Sequence, residues 1–412
     1  MHTIYNLLIH ATSFALGIIA LFSNKMKQFV NGRKTVFETL QQNISTTDKT
    51  IWFHCASLGE FEQGLPIMEA VKKMKPDHKI VISFFSPSGF EIRKNASVAD
   101  VVVYLPMDTP NNARRFIELV HPSLALFVKY EFWPNYLLEL QKKQVPALLV
   151  SGVFREDQIF FKSYGGFMRK ALHTFEHFFV QNETSEELLK SIGFNNTTIS
   201  GDTRFDRVSH QIEIDNRLDF AEKFKGNSLC IVCGSTWPED EAVLLDYINS
   251  APENVKFIIA PHKIESGKIE AFRIKLKQES ALYSEKRTNF SNVKILIIDT
   301  IGLLTKLYSY ADIAYVGGAM GKTGLHNILE PATFGVPIII GKNHENFPEA
   351  ARLQQLAGLF SVATPSECTE VLNKLVSDNS FRNKTGMISG HFVNKNTGAT
   401  KIILNHIETL TN

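Results

Sequence analysis

The stretch Ile51-Trp-Phe-His-Cys-Ala-Ser-Leu-Gly-Glu60 decides the fold. Its first four residues form a short run of the kind a strand covered on both faces requires. Gly59 lets the backbone turn tightly, and a helix begins at about Glu60. A buried strand passing directly into a helix is one βα unit. The same alternation recurs outward from it. Ile51–His54, Ile80–Phe85, Val101–Leu105, Leu124–Val128, Ala147–Ser151 and Phe178–Gln181 read as buried strands. Glu60–Met74, Ser88–Asn95, Pro110–Val120, Trp133–Lys143 and Ser185–Ser191 read as the helices between them. Repeated βα predicts a doubly wound parallel sheet.

A polar stretch, Ser200-Gly-Asp-Thr-Arg-Phe-Asp-Arg207, and a charged helix to about Lys225 interrupt the pattern. It restarts at Leu229–Cys233 and continues through Phe257–Ala260, Val293–Ile298, Ile313–Val316 and Pro337–Ile340. The expectation is therefore an α/β protein with two Rossmann-like domains facing a cleft, the GT-B architecture. Residues 36–205 would form the first domain, 206–228 a linker and 229–412 the second, with the last helix a candidate to cross back.

Residues 1–35 read as a membrane anchor with a basic segment. Ile4 to Phe22 is apolar and uncharged with His10 neutral, and Lys25, Lys27, Arg33 and Lys34 come next, before the first acid, Glu38. A cleaved signal peptide would carry its positive charges first. Three forms are open: a spanning helix, short for the task; a helix lying in the interface; or a soluble core helix. The positive charges place the chain beyond Lys25 in the cytoplasm.

The 412 residues are enough for two or three domains, with 44% hydrophobic and 21% charged residues as in ordinary globular proteins. A net charge of +2 is too small to argue for nucleic acid, no long basic run appears, and no nucleic-acid partner is expected. Four cysteines are too few for a disulfide scaffold. Cys230 and Cys233 lie inside an apolar run and read as buried strand residues, and His173 and His177 as ordinary packing or surface histidines. No cluster has metal-ligand spacing, so neither a metal nor another cofactor is expected.

In open α/β sheets chemistry gathers beyond the carboxyl ends of the strands. Glu60 stands there, either as a first-turn acid favoured by the helix dipole or as a general base. Lys129-Tyr-Glu-Phe-Trp-Pro-Asn135 comes after the fourth strand. In the second half three strand-to-helix turns bring hydroxyls, glycines and basic side chains together. They are Gly234-Ser-Thr-Trp-Pro238, Ala260-Pro-His-Lys263 and Gly317-Gly-Ala-Met-Gly-Lys-Thr-Gly324, the last leading into His326-Asn-Ile-Leu-Glu-Pro331. Such turns present backbone N–H groups to phosphate. The glycine-rich turn is no P-loop, because Val316 stands where the first glycine is required.

Ser57-Leu-Gly-Glu60, Glu131-Phe-Trp-Pro-Asn135, Ala260-Pro-His262, Gly317-Gly318 and His326-Asn-Ile-Leu-Glu-Pro331 together resemble the 3-deoxy-D-manno-octulosonic acid (Kdo) transferases of Gram-negative bacteria, from the N-terminal anchor to at least Pro348. The resemblance implies an inverting, metal-independent transfer of Kdo from CMP-Kdo to a lipid A precursor (lipid IVA) at the cytoplasmic face of the inner membrane. It implies Glu60 as general base, with Glu131 and Arg204 steadying the reacting centre. It implies Pro261, His262, Gly317, Gly318, Ala319, Asn327, Ile328, Leu329 and Glu330 as CMP contacts. Ser235, Thr236 and Lys263, in the neighbouring turns, complete the expected donor site. Lys129 stands where many relatives carry a second acid, and Gly201-Asp-Thr-Arg-Phe-Asp206 where Gly-Asn-Leu-Lys-Phe-Asp is usual. The alternatives are a UDP-sugar transferase or epimerase of the same architecture, or an inactive membrane-tethered binding protein.

Overall fold

The computed structural model describes residues 1–285 and 290–411. The chain divides into two units: Met1–Arg207 with Thr397–Asn412, and Val208–Asn396. Each is built on a seven-stranded, wholly parallel sheet. This is the α/β, doubly wound Rossmann-like class expected, with two such units as in GT-B enzymes.

The first unit holds β1 (Lys49–Cys55), β2 (His78–Phe84), β3 (Val101–Tyr104), β4 (Pro122–Val128), β5 (Ala147–Gly152), β6 (Phe175–Val180) and β7 (Thr197–Ile199). Their order across the sheet is β3-β2-β1-β4-β5-β6-β7. Successive side chains of β1 feed two different cores. Trp52 joins Phe116, Phe127 and Tyr136 on one face, while Ile51, Phe53 and Cys55 join Phe61, Met68 and Ile82 on the other. That two-sided burial is why the strand reads as a continuous apolar run. The last helix, Ala399–Thr411, closes the second of these cores with Ile403 and Ile407. Both are fully buried, and each such side chain is worth roughly 1.5–3 kcal/mol. Asp206 holds that helix by its start, accepting from the Gly398 and Thr400 N–H groups at 2.5 and 2.6 Å and from the Thr400 hydroxyl at 2.7 Å.

The second unit holds β8 (Leu229–Thr236), β9 (Val255–Pro261), β10 (Ser280–Leu282), β11 (Ile295–Ile297), β12 (Ile313–Val316), β13 (Ile338–Gly341) and β14 (Leu359–Val362), in the order β10-β11-β9-β8-β12-β13-β14. Cys230 and Cys233 are buried in β8, and burial pushes both thiols up, Cys230 to about 12. The stretch read as a linker is ordered: the helix Asp219–Lys225 is tied to this unit through Lys225, which pairs with Asp312 at 2.8 Å.

Three strands escape the sequence pattern: β7, β10 and β14. All three are edge strands of three or four residues. An edge strand is kept short and half solvated, so it carries no continuous apolar run. A second difference concerns Gly59, which lies inside the helix Leu58–Met74 rather than at a turn before it. A Cβ there would meet only Ser57 Oγ, at 3.7 Å, so no close approach demands glycine.

Candidate active site

Both sheets reverse their winding once, and Glu60, Glu131 and the glycine turn at Gly317 lie beside those two places. In the first unit the switch lies between β1 and β4. β1 ends at Cys55 and hands over to the helix Leu58–Met74, whose first turn carries Glu60. That carboxylate is 8% exposed and accepts a hydrogen bond from the Ser57 hydroxyl. β4 ends at Val128, and Lys129 then takes a left-handed φ of 73°, turning the chain into the loop that carries Glu131. Both carboxylates act on the Cys55 thiol, which burial first, then Glu60, Glu131 and Glu62, hold well above its ordinary range.

Glu131 ends a buried polar chain that starts in the core. Trp52 Nε1 donates to Ser83 Oγ at 2.8 Å, and Ser83 Oγ lies 2.9 Å from His54 Nδ1. His54 Nε2 lies 3.3 Å from Glu131 Oε2, and Trp133 Nε1 donates to that same oxygen at 3.0 Å. Trp133 Nε1 also lies 3.0 Å from His54 Nε2, so the indole N–H is shared between that nitrogen and Glu131 Oε2. His54 is wholly buried and was invisible as a site residue in the sequence, where it reads as one more position of a buried strand.

Arg204 lies in the same unit. Its Nε donates to Asp202 Oδ2 at 2.8 Å, and Gln63, one turn beyond Glu60, donates to Asp202 Oδ1 at 3.3 Å. Asp202 thus links Arg204 to the helix that carries Glu60.

In the second unit the switch lies between β8 and β12. Here three rings meet, His262 lying against both Trp237 and His326. Trp237 and His262 lie 4.7 Å apart at 24°, and His262 and His326 lie 4.3 Å apart. Trp237 Nε1 donates to His326 Nε2 at 3.1 Å, and the Lys263 ammonium sits 5.2 Å from the Trp237 ring centre. Burial, reinforced by His262, lowers His326 to about 4; burial and then Lys263 lower His262. Thr236, Trp237, Glu241, Pro261 and Lys263 line one small pocket. Asn327 Oδ1 accepts from the Leu329 N–H at 3.1 Å, and its Nδ2 donates to Glu330 Oε1 at 3.2 Å. Ile328 and Leu329 are buried beneath them. Ser235 adopts φ 54°, and Gly317 packs so close to it that a Cβ would meet Ser235 O at 2.3 Å.

The glycine turn departs from expectation in one respect. The backbone N–H groups awaited at a phosphate are used within the unit. Gly317 N donates to Gly234 O and Gly318 N to Asp240 Oδ2, each at 2.9 Å. Asp240 is fully buried and also accepts from Trp237 N and the Tyr315 hydroxyl, both at 2.9 Å. A carboxylate at the start of the helix Pro238–Ser250 has drawn these donors to itself. Ala319, also buried, belongs to the same wrapped loop, its carbonyl accepting from Asn343 N at 2.8 Å. Charge and ring faces at this edge come instead from His262, Lys263 and Trp237. Trp237 and His326 fall within motifs quoted from the sequence, but neither they nor Asp240 were given a role there, because their contacts bridge 89 and 78 positions of chain, which no local spacing reveals. Among the described residues no group of His, Cys, Asp and Glu side chains is arranged to hold a metal.

Residues 31–207 match the family model described as 3-deoxy-D-manno-octulosonic-acid transferase (kdotransferase). The chain is 27% identical to a 3-deoxy-D-manno-octulosonic acid transferase of Aquifex aeolicus, covering 82% of this chain and 89% of that protein. It is 26% identical to the enzyme of the same name from Haemophilus influenzae, covering 86% and 85%. A bifunctional glycosyltransferase/methyltransferase of Fusobacterium nucleatum is 27% identical over 98% of this chain, which spans 64% of that longer protein. Among solved structures, the UDP-GlcNAc 2-epimerase of Neisseria meningitidis superposes with a TM-score of 0.63 at 15% identity, covering 87% of this chain and all of that one. MurG of Acinetobacter baumannii superposes at 0.54 and 12% identity, covering 88% and 99%. At such identities these two likenesses concern the fold alone.

Proposed function

The chain belongs to the 3-deoxy-D-manno-octulosonic-acid transferase family, and from that premise we propose that it transfers Kdo from CMP-Kdo to a lipid A precursor, lipid IVA, at the cytoplasmic face of the inner membrane, with Glu60 as general base. The observation that carries the assignment of the base is the position of Glu60. It is a nearly buried carboxylate in the first helical turn after β1, beside the switch point of its sheet, with the Ser57 hydroxyl fixing one oxygen.

The acceptor hydroxyl attacks the anomeric carbon of the donor. The new C–O bond forms as the bond to the phosphate oxygen breaks, and CMP leaves with that electron pair. The hydroxyl proton passes to Glu60. Glu131, fixed by His54 and Trp133, supplies a second, prearranged negative charge for the cationic character that builds on the sugar ring. In the second unit, Trp237 and His262 offer ring faces to a base, and Lys263 offers charge to a phosphate.

The test is purified full-length protein with CMP-Kdo and lipid IVA, with product mass measured. Glu60→Gln keeps shape and removes basicity, so transfer should fall by about 10²–10⁴-fold while CMP still binds. A wild-type rate in that variant would return Glu60 to the role of a first-turn acid.

A further inference from the structure

The helix His2–Ile19 is 18 residues long and, among the described residues, is the one helix long and apolar enough to cross a bilayer. Ile4, Leu7, Leu8, Phe14, Ile18 and Ile19 are exposed on it. Its first turn, however, is bonded to the first unit. His2 Nε2 donates to Asn135 Oδ1 at 2.8 Å, Asn135 Nδ2 donates to Asn6 Oδ1 at 2.9 Å, and the Tyr5 hydroxyl donates to Asp108 Oδ2 at 2.6 Å. Asp108 is 1% exposed and also accepts from the backbone N–H groups of Asn135 and Tyr136, both at 3.1 Å. The rings of His2 and Tyr5 pack on Phe167 at 5.2 and 5.6 Å.

Beyond this clamp the contact continues. Tyr5, Ile9, Ser13, Leu16 and Ala20 are half-buried and recur every three or four residues, so they form one stripe toward the unit. His10, Ser13 and Leu16 wall a cavity of about 390 Å³ whose other side includes Phe29, Arg33 and Met107. A helix of this length reaches about 27 Å at 1.5 Å per residue, and a span would put its two ends on opposite sides of a hydrocarbon core about 30 Å thick. Here the first turn and the stripe along the rest are both held to one folded unit. The geometry is that of a helix with one face on protein and the other available to lipid. The next helix, Asn24–Asn31, contains no acid, and Lys25, Lys27 and Lys34 are exposed, which suits anionic headgroups.

We propose that His2–Ile19 is an in-plane anchor: clamped by Asp108 and Asn135, it presents its apolar outer face to an anionic lipid surface and keeps both of its ends on the catalytic side. The inference rests on the proposed membrane location and decides how that location is achieved. It also ties lipid contact to chemistry, because Asn135 closes the loop that carries Glu131.

The four native cysteines are buried, so a single added cysteine reports alone. Thr3→Cys and Thr46→Cys, both at exposed positions, are treated with a membrane-impermeant maleimide in everted inner-membrane vesicles and in intact spheroplasts. Both should label in everted vesicles and neither in spheroplasts. Labelling of Thr3→Cys in spheroplasts, with Thr46→Cys protected, would establish a span and overturn the proposal. Independently, Leu7→Cys and Ser13→Cys carry a polarity-sensitive dye, and the full-length protein is mixed with phosphatidylglycerol vesicles. A blue shift at position 7 without one at 13 supports the in-plane helix, and equal shifts overturn it. A protein that does not float with vesicles at all overturns the membrane location along with it, and the transfer assay reports separately on the enzymatic reading.

Discussion

Trp237 donates its indole N–H to Nε2 of His326 across 3.1 Å, a bond that only the neutral imidazole can accept. Burial and the neighbouring His262 hold His326 at about 4, below its ordinary 6.5. Above 6.5 the ring is neutral in the folded and the unfolded chain, and the fold keeps its full stability. Between 6.5 and about 4 the unfolded chain binds a proton that the folded chain refuses, so stability falls through that window and levels off below it. His326→Asn lacks this contribution, although His262, also lowered, retains a part of the acid sensitivity. The stability advantage of wild type over His326→Asn should therefore shrink as pH falls from 7 to 4 in urea unfolding. A gap that stays constant across that range would contradict a neutral, hydrogen-bonded His326.

Gly318→Ala should damage the second unit. Gly318 has φ +97°, and a Cβ there would meet Gly324 O at 2.1 Å. Backbone strain of this kind costs of order 1–3 kcal/mol before any clash is counted. The shift would pull the Gly318 N–H away from Asp240 and disturb the turn beside Trp237. Lower thermal stability together with weaker CMP binding is the expected result. Unchanged values of both would mean that the turn adapts freely and does not shape the donor site.

The fold was legible in sequence wherever burial is two-sided. β1, β2, β4, β5, β9 and β12 are apolar on both faces, and each announces itself as a run. β7, β10 and β14 are solvated edges and carry no such mark. The candidate site was legible where its proposed residues sit on a local motif, as with Glu60 after Ser57 or Asn327 before Glu330. It was not legible where chemistry depends on folding. His54 becomes a partner of Glu131 only when β1 lies beside β4, and His326 meets Trp237 only when β12 lies beside β8. The glycine turn misled in the opposite way: its composition suggests free N–H donors, and Asp240, several strands earlier, already holds one of them.

Transfer should persist in EDTA. The cation near the second switch point is Lys263, with the neutral His262 imidazole beside it as a hydrogen-bonding group, and neither needs an ion to act on a phosphate. The measurement is initial rate with and without chelator after the protein has been stripped by dialysis. Loss of turnover restored by a divalent cation would require a metal in the mechanism.

Trp133→Phe isolates the indole N–H from the indole ring. The ring packs on Phe85 with centroids 4.5 Å apart, and phenylalanine can keep most of that contact. The N–H is shared between Glu131 Oε2 and His54 Nε2, each at 3.0 Å. Without it the carboxylate retains only the 3.3 Å contact to His54 and is free to rotate. A hydrogen bond to a charged group is worth about 1.5–3 kcal/mol. If the bond serves to hold Glu131 in the geometry of the transition state, kcat should fall by roughly 10- to 100-fold, at about 1.4 kcal/mol per decade. KM for CMP-Kdo should change little, because the proposed donor residues belong to the second unit. A purely structural Trp133 would give a different signature: lower thermal stability with kcat preserved at low temperature. Trp133→His, which can restore an N–H donor near the same place, should recover part of the lost kcat. Equal kcat in wild type and Trp133→Phe would remove Glu131 from the list of groups whose position matters to the reaction.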